Sequence, residues 1–265
     1  MKIVVLGATG NIGSHVVKEG LSQGHEVVAY VRNPDAVQPR SGLTVVRGSL
    51  DDRAAMAKAF AGSDAVVSAV GVALRAKKPI DLMRRTLPVV TAAAQDAGVE
   101  RFVLVSAFGV GDTAAKASIL ARLVYRTVVA AIFKDKELSE KSLPVSGLNW
   151  TIVHPVNLKE APAAPAATVK RLDQVGKVPG LPTLPFANVA RALVEIARRP
   201  RPRRAAVAGH DREGVEAAAT RGLRGAFMRT LRAAGGNPCR SSAGRDTLGP
   251  SHERGFDHAA AEVPS

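Results

Sequence analysis

Residues 4–13 read Val-Val-Leu-Gly-Ala-Thr-Gly-Asn-Ile-Gly, and this stretch decides the fold. An apolar run, Lys2 to Leu6, turns through Gly7, Gly10 and Gly13 into an amphipathic segment. The first glycine permits a tight turn after a buried strand, the second leaves room for a pyrophosphate, and the third lets the helix pack closely on the strand. The helix N-terminus behind the turn presents N–H groups and its positive dipole end to an anion. The stretch predicts a dinucleotide-binding turn, with a glycine-rich turn that holds no ligand as the alternative.

Apolar runs alternate with helical patterns through most of the chain. Continuous apolar runs suit strands covered on both faces, and their alternation with helices indicates right-handed crossovers. We predict an α/β fold, a Rossmann-type doubly wound parallel sheet with helices on both faces and ligands at the carboxyl ends of its strands. The predicted strands are Lys2–Leu6, Glu26–Val31, Thr44–Val46, Ala65–Val70, Phe102–Ser106 and Thr151–His154. The predicted helices are Asn11–Gln23, Asp51–Phe60, Asp81–Asp96, a long helix over about Ala114–Leu143, and Ala187–Arg199.

Composition excludes several classes of protein. The longest apolar stretch, residues 118–133, contains Arg122 and Arg126 and falls short of the roughly 18 uninterrupted apolar residues of a membrane-spanning helix. The chain enters its first strand without a secretory signal pattern, so we expect a cytoplasmic protein. The single cysteine, Cys239, excludes an internal disulfide and a cysteine-based metal cage. The six histidines show no ligand spacing, and we expect no metal site.

The net charge of +14 lies almost entirely in the first 204 residues, which carry 29 Lys/Arg and 16 Asp/Glu. With 4% aromatic residues and no nucleic-acid-binding motif, this charge favours anionic small molecules over nucleic acid. A basic cluster follows the fourth predicted strand and suits either an acidic substrate or a solvated loop. Its members are Arg75, Lys77, Lys78, Arg84 and Arg85.

The chain divides at about residue 204. Residues 1–204 are predicted to form one NAD(P)-binding Rossmann domain, in which the Ala/Pro-rich stretch at about 157–186 forms a small cap over the substrate side. Residues 205–265 contain no lysine, no clear strand and nearly balanced charge, and we expect a disordered or weakly structured tail. An arginine-rich contact arm and a shifted reading frame are the alternatives.

Polar residues after the second and third strands indicate the cofactor. Arg32 stands where NAD-binding sites place an acidic residue on the ribose, and a guanidinium there can bind the 2′-phosphate of NADP(H) instead. We therefore predict NADP(H), with a solvated arginine as the alternative. Thr9 and Asn11 can add donors, and Asp51 or Asp52 can contact the adenine or cap a helix. Small residues that allow close approach of a flat cofactor end the fourth strand: Ser68, Ala69, Val70 and Gly71.

Candidate catalytic residues follow the fifth and sixth strands. The Ser106 hydroxyl can polarise a substrate carbonyl or a flavin edge, or simply cap the strand end. Phe108 can form an apolar wall or pack in the core. His154 can donate a proton, although a structural role in a proline turn is the stronger alternative. On the predicted long helix, Lys136 and Glu140 form an i,i+4 pair that suits either a site or a solvated face.

Several motifs together resemble one family. They are Gly-Ala-Thr-Gly-Asn-Ile-Gly at 7–13, Val-Arg-Asn-Pro at 31–34, Val-Ser-Ala-Phe-Gly at 105–109, Asp-Lys-Glu at 135–137 and Ser-Gly-Leu-Asn-Trp-Thr-Ile-Val at 146–153. Over about residues 1–200 the chain resembles the NmrA-like, NAD(P)H-binding atypical short-chain dehydrogenase/reductases. Its pattern is most similar to that of the flavin reductase/biliverdin-IXβ reductase-like members.

The resemblance implies an NADP(H) site, an active-site Ser106, and Lys136 on a helix near the nicotinamide. The usual tyrosine followed four residues later by lysine is absent, since Val129 follows Tyr125 at that spacing. The histidine that biliverdin-reducing relatives carry after the sixth strand falls at Asn157. The cofactor residues implied are Gly7, Thr9, Gly10, Asn11, Ile12, Gly13 and Arg32.

These features predict an NADPH-dependent oxidoreductase that transfers hydride to a flavin, a quinone or a similar planar acceptor. The positive net charge of the domain is compatible with an anionic acceptor. The alternative is a non-catalytic NADP(H)-binding redox sensor of the NmrA type. We expect a monomer or small homo-oligomer with no membrane partner.

Overall fold

A computed structural model describes residues 1–72, 80–127, 129–164, 168–199 and, for the backbone, 206–209. These residues belong to one structural unit, Met1–Ala217. The first six strands are β1 Lys2–Leu6, β2 Glu26–Val31, β3 Leu43–Arg47, β4 Ala65–Ser68, β5 Arg101–Val105 and β6 Asn149–Pro155. The helices are α1 Asn11–Ser22, α2 Arg53–Phe60, α3 Leu82–Asp96, α4 Ile119–Thr127, α5 Ala130–Glu140 and α6 Phe186–Arg198.

These six strands are all parallel and lie in the order β3-β2-β1-β4-β5-β6. The register pairs Leu6 with both Tyr30 and Ser68, and Leu104 with Ile152. The strands therefore end together at one edge of the sheet, where residues that follow different strands become neighbours. The predicted doubly wound α/β fold is confirmed.

Two apolar clusters cover the two faces of the sheet. Alternate strand residues point to opposite faces, so Val5 packs with α1 and α6 on one side, whereas Leu6 packs with α2 and α3 on the other. Phe60 and Leu193 are among the largest fully buried side chains of these helices. Burial on both faces explains why the inner strands β1, β4 and β5 read as continuous apolar runs.

Four short strands follow β6, and they change the predicted extents of the cap and of the tail. They are β7 Asn157–Lys159, β8 Thr168–Arg171, β9 Thr183–Pro185 and β10 Ala206–Gly209. β10 pairs parallel with β6 and antiparallel with β8, so part of the predicted cap region extends the main sheet, whereas β7 and β9 form a separate pair. The prediction of a tail from residue 205 is wrong for 206–209, because backbone pairing with β6 needs no distinctive sequence pattern. Residues 210–265 lie outside the described residues.

The predicted long helix over 114–143 is also wrong. Residues 111–116 form a 3₁₀ helix, and α4 and α5 are separate helices, with Val129 in a non-helical conformation before α5. Thr127, Val128 and Val129 are β-branched, and such residues lose side-chain freedom against the preceding helical turn. Because of this break, α5 has its own orientation, and its polar residue Lys136 lies against the end of β5.

In the part of the chain described above, no helix is long and apolar enough to span a bilayer. The longest of these helices, α3, has 15 residues.

Candidate functional site

The glycine turn between β1 and α1 has space only for glycine at two positions. Gly7 has a φ of +76°, and a Cβ built there would lie 2.7 Å from the carbonyl oxygen of Ala69. A Cβ on Gly13 would lie 2.6 Å from the carbonyl carbon of Gly7. The backbone of the turn is therefore packed directly against the end of β4 and the first turn of α1, which is the close approach that a dinucleotide-binding turn requires.

The N-terminus of α1 is open to an anion. Gly10 is the N-cap and has no side chain to satisfy the first turn, which contains no acidic residue. Thr9, Gly10 and Asn11 are exposed, whereas Ile12 is half-buried and packs against the core. Amide groups at such a terminus bind phosphate well. The turn and the helix start therefore fit the pyrophosphate of a dinucleotide.

Arg32 directly follows β2 at the same edge of the sheet. It is exposed, and its side chain has no ion pair or hydrogen bond with the residues that the structure describes. Leu6 pairs with Tyr30, so Arg32 lies alongside the glycine turn that follows Leu6. This position fits a guanidinium that binds the adenosine 2′-phosphate of NADP(H).

The two aspartates after β3 have different partners. Asp52 is the N-cap of α2 and accepts a hydrogen bond of 2.9 Å from the Ala55 amide. Asp51 is exposed and forms an ion pair with Arg85. Of the two alternatives, helix capping thus falls to Asp52, and Asp51 stays a predicted adenine contact whose carboxylate is held by an arginine.

The end of β4 lies against the glycine turn. The Ala69 amide donates to the Leu6 carbonyl at 2.9 Å. Ser68 is buried, Ala69 and Val70 are half-buried, and Gly71 is exposed. These small residues line the path from the glycine turn toward β5 and stay predicted cofactor contacts.

The end of β5 carries a buried polar group made with α5. The Ser106 hydroxyl donates a hydrogen bond to Oε1 of Glu140, and the Lys136 ammonium donates to the carbonyl of Val105 at 3.2 Å. Ser106 and Lys136 are 5% and 9% exposed. This burial excludes the solvated-face alternative for Lys136. The polar side of α5 instead faces the carboxyl end of the sheet.

Burial displaces the pKa values of both charged members of this group. Desolvation lowers the pKa of Lys136 to about 8, although Glu140 and Asp135 counteract the shift. Desolvation likewise raises the pKa of Glu140 to about 7, against the hydrogen bond from Ser106 and the charge of Lys136. Shifted pKa values of this kind are typical of functional sites.

His154 lies next to this group, since the Ser106 amide donates to the carbonyl of the adjacent Val153 at 2.8 Å. Its Nδ1 is 3.2 Å from the carbonyl oxygen of Ala107, which places the ring proton on Nδ1. Desolvation by burial lowers the pKa of His154 to about 4. The imidazole is neutral at physiological pH, and this geometry favours its structural role over proton donation.

The neutral imidazole makes folding stability pH-dependent. The unfolded chain protonates His154 near its ordinary pKa of 6.5 and the folded chain only near 4. Its stabilising contribution is therefore full above pH 6.5 and is lost as the pH falls through 4. We expect wild type to lose about 3 kcal/mol more than His154→Gln over this window, measured by urea unfolding. Parallel pH profiles for the two proteins would show that His154 does not titrate this way.

Sequence reasoning missed the structural role of Asp135. This buried carboxylate accepts hydrogen bonds from the amides of Met83 and Arg84 at 2.9 and 3.0 Å. It thereby caps the N-terminus of α3, whose own N-cap residue, Asp81, makes no side-chain capping hydrogen bond. No local signal could reveal this cap, because 51 residues separate donor and acceptor.

A pocket of about 330 Å³ opens between the segment after β5, α4 and α5. Tyr125 and Phe133 form its aromatic wall, with ring centroids 5.0 Å apart. Three basic residues and one acidic residue give the pocket a positive balance. Its lining residues are Gly109, Val110, Gly111, Ala114, Arg122, Tyr125, Arg126, Ala130, Phe133, Lys134 and Glu137.

Other sequence candidates lie elsewhere. Phe108 is buried in the core, so the core alternative applies. Asn157 donates to the Pro182 carbonyl at 3.2 Å and hydrogen-bonds the Tyr125 side chain. Of the basic cluster, Arg85 binds Asp51, Arg84 is exposed, and the other three members lie outside the described residues. Within the described ranges, no group of three metal-ligating side chains occurs.

Known proteins resemble the chain in sequence and fold. The sequence model of a family described as NAD(P)H-binding matches residues 7–200. A phenylcoumaran benzylic ether reductase of Ginkgo biloba is 34% identical over 105 residues, an alignment that covers 33% of this chain and only 34% of that protein.

Two solved structures share the fold. ChuY, an anaerobilin reductase of Escherichia coli O157:H7, has a TM-score of 0.65 at 23% identity and covers 80% of this chain and 98% of its own. A short-chain dehydrogenase/reductase of Veillonella parvula in complex with NADP has a TM-score of 0.66 at 16% identity, covering 80% and 95%. At these identities the structures support the fold alone.

Proposed function

The chain belongs to the NAD(P)H-binding family, and from this premise we propose that it is an NADPH-dependent reductase of a planar acceptor. The observation that carries the proposal is the common edge of the sheet. There the glycine turn and Arg32 would hold the cofactor, and the polar group of Ser106, Lys136 and Glu140 lies at the end of β5. Bound NADPH supplies a hydride at its nicotinamide ring.

The chain's own residues would orient the two rings and exclude water. The glycine turn and the open start of α1 bind the pyrophosphate, and the small residues from Ser68 to Gly71 let the cofactor cross the sheet edge. Ser106 and Lys136, both buried, hold the end of β5 and the last turn of α5 in place. Rigid placement of two reacting rings is a large part of what such a reaction requires.

The pocket beside this group would bind the acceptor. Tyr125 and Phe133 offer a flat aromatic wall, and Arg122, Arg126 and Lys134 outweigh Glu137 in charge. Flat rings stack on aromatic side chains, and anionic groups are attracted by the positive balance. These features support a flavin, a quinone or a similar planar acceptor. The cytoplasmic location and a monomeric or small homo-oligomeric state stay predictions from the sequence.

Turnover with a panel of acceptors tests the proposal. Purified protein is mixed with NADPH and, separately, with FMN, FAD, menadione or biliverdin, and NADPH oxidation is followed by absorbance. We expect at least one planar acceptor to oxidise NADPH catalytically. Tight NADP(H) binding without oxidation by any acceptor would instead support the redox-sensor function.

Replacement of Arg32 tests the choice of cofactor. We expect Arg32→Ala to weaken NADPH binding about 10- to 100-fold, because charge-assisted hydrogen bonds to the 2′-phosphate are lost, while NADH binding stays nearly unchanged. Calorimetric titration with both cofactors measures this difference. Arg199→Ala, at the exposed end of α6, is the control. Equal losses for NADPH and NADH would contradict a phosphate contact.

A further inference from the structure

Glu140 lies between the end of β5 and the pocket. Its Oε1 accepts the hydrogen bond of the Ser106 hydroxyl. Its Oε2 lies on the side of Gly111, where a built Cβ would be 3.5 Å away, and Gly111 lines the pocket. One oxygen is thus fixed at the sheet edge, and the other lies beside Gly111, which lines the space proposed for the acceptor.

The charges around Glu140 come from two segments. On α5, Lys136 favours the ionised carboxylate, whereas Glu137 opposes it. On the 3₁₀ helix after β5, Asp112 also opposes ionisation. Desolvation outweighs all of these, and the pKa of about 7 leaves both protonation states populated near neutrality. A carboxyl group in this condition can give up a proton and regain it from water.

The neighbouring groups are less suited to proton donation. The Lys136 ammonium donates to the Val105 carbonyl, and the Ser106 hydroxyl donates to Glu140. His154 is neutral, with its ring proton directed to the Ala107 carbonyl. The half-buried Glu140 combines a transferable proton with an oxygen beside Gly111, a residue that lines the pocket.

We infer that Glu140 is the catalytic proton donor to the acceptor, an inference that rests on the proposed reductase function. NADPH loses a hydride and becomes NADP⁺, the acceptor gains that hydride at one atom, and the O–H bond of Glu140 breaks to protonate the acceptor heteroatom that carries the developing negative charge. The carboxylate left behind is stabilised by Ser106 and Lys136 and is reprotonated by water. The substrate class is therefore a quinone-type acceptor, which needs a proton at oxygen, rather than a flavin, which accepts hydride with little acid assistance.

Glu140→Gln keeps the size of the side chain and removes its proton. We expect kcat with NADPH and menadione to fall about 100-fold or more, as is typical for loss of a general acid, and its pH dependence near 7 to disappear. Reduction of FMN should fall by a smaller factor than reduction of menadione, since it draws less on a general acid. Glu195→Gln, which removes from α6 a half-exposed carboxylate paired with Arg199, is the control for a general effect of charge.

A second readout requires no turnover. In infrared titration of the full chain, the C=O stretch of a protonated carboxyl should disappear as the pH rises, with a midpoint near pH 7. This band should be missing in Glu140→Gln. Unchanged menadione kinetics in an active Glu140→Gln protein, or no such titrating band in wild type, would overturn the assignment of Glu140 alone. If the wild-type protein fails to oxidise NADPH with every acceptor of the panel, both the reductase function and the donor role are overturned.

Discussion

Gly13→Ala should abolish most NADPH binding. The added methyl group would lie 2.6 Å from the carbonyl carbon of Gly7, and this neighbour is backbone that cannot rotate away. Relief of the overlap requires the glycine turn to separate from α1, which displaces the amide groups proposed to bind the pyrophosphate. We expect NADPH affinity to fall about 100-fold, or about 2.8 kcal/mol. Calorimetric titration measures the affinity.

The same variant should also unfold more easily. Overpacking of a close contact typically costs about 1–3 kcal/mol, which urea unfolding without cofactor detects. Gly176→Ala is the matched control, because a Cβ there meets nothing within 4 Å. Wild-type NADPH affinity in Gly13→Ala would show that the turn does not carry the cofactor.

Asp135→Ala should cause the largest loss of stability. The substitution removes two hydrogen bonds from a buried carboxylate to the first turn of α3 and leaves Lys136 buried with less compensating charge. Removal of one member of a buried charged group typically costs about 3–5 kcal/mol. Urea unfolding measures the free energy of unfolding.

Asp52→Ala provides the comparison for Asp135. It removes the cap of α2 at the surface and should cost only about 1 kcal/mol. The difference between the two variants isolates the effect of burial. If both cost the same, Asp135 acts as an ordinary helix cap and contributes nothing further to the cluster with Lys136.

The sheet and the glycine turn could be predicted because their signals are local. Most strands are continuous apolar runs, and Gly7, Gly10 and Gly13 lie within one short contiguous stretch of the sequence. The role of Arg32 could also be predicted, because it follows from the number of residues between Arg32 and the glycine turn. The family resemblance, which the match over residues 7–200 confirms, rests on the same local motifs.

The short strands could not be predicted from the sequence. Thr168–Arg171 and Ala206–Gly209 are four residues each, and neither carries an alternating or apolar pattern long enough to indicate a strand. Their hydrogen bonds are supplied by neighbours distant in sequence. The division of the predicted long helix into α4 and α5 similarly depends on where each helix packs.

The sequence alone determined the alternation of strands and helices, the cofactor-binding turn and the edge of the sheet at which chemistry is expected, because these follow from spacing along the chain. Only the tertiary structure decided which side of α5 is buried. The segment from Lys134 to Glu140 contains a single apolar residue, Leu138, so no apolar stripe marks its inner face. Packing against α3 and β5 buries Asp135, Lys136 and one side of Glu140 while Lys134 stays exposed. Desolvation by that packing, rather than residue type, produces the displaced pKa values of the candidate site.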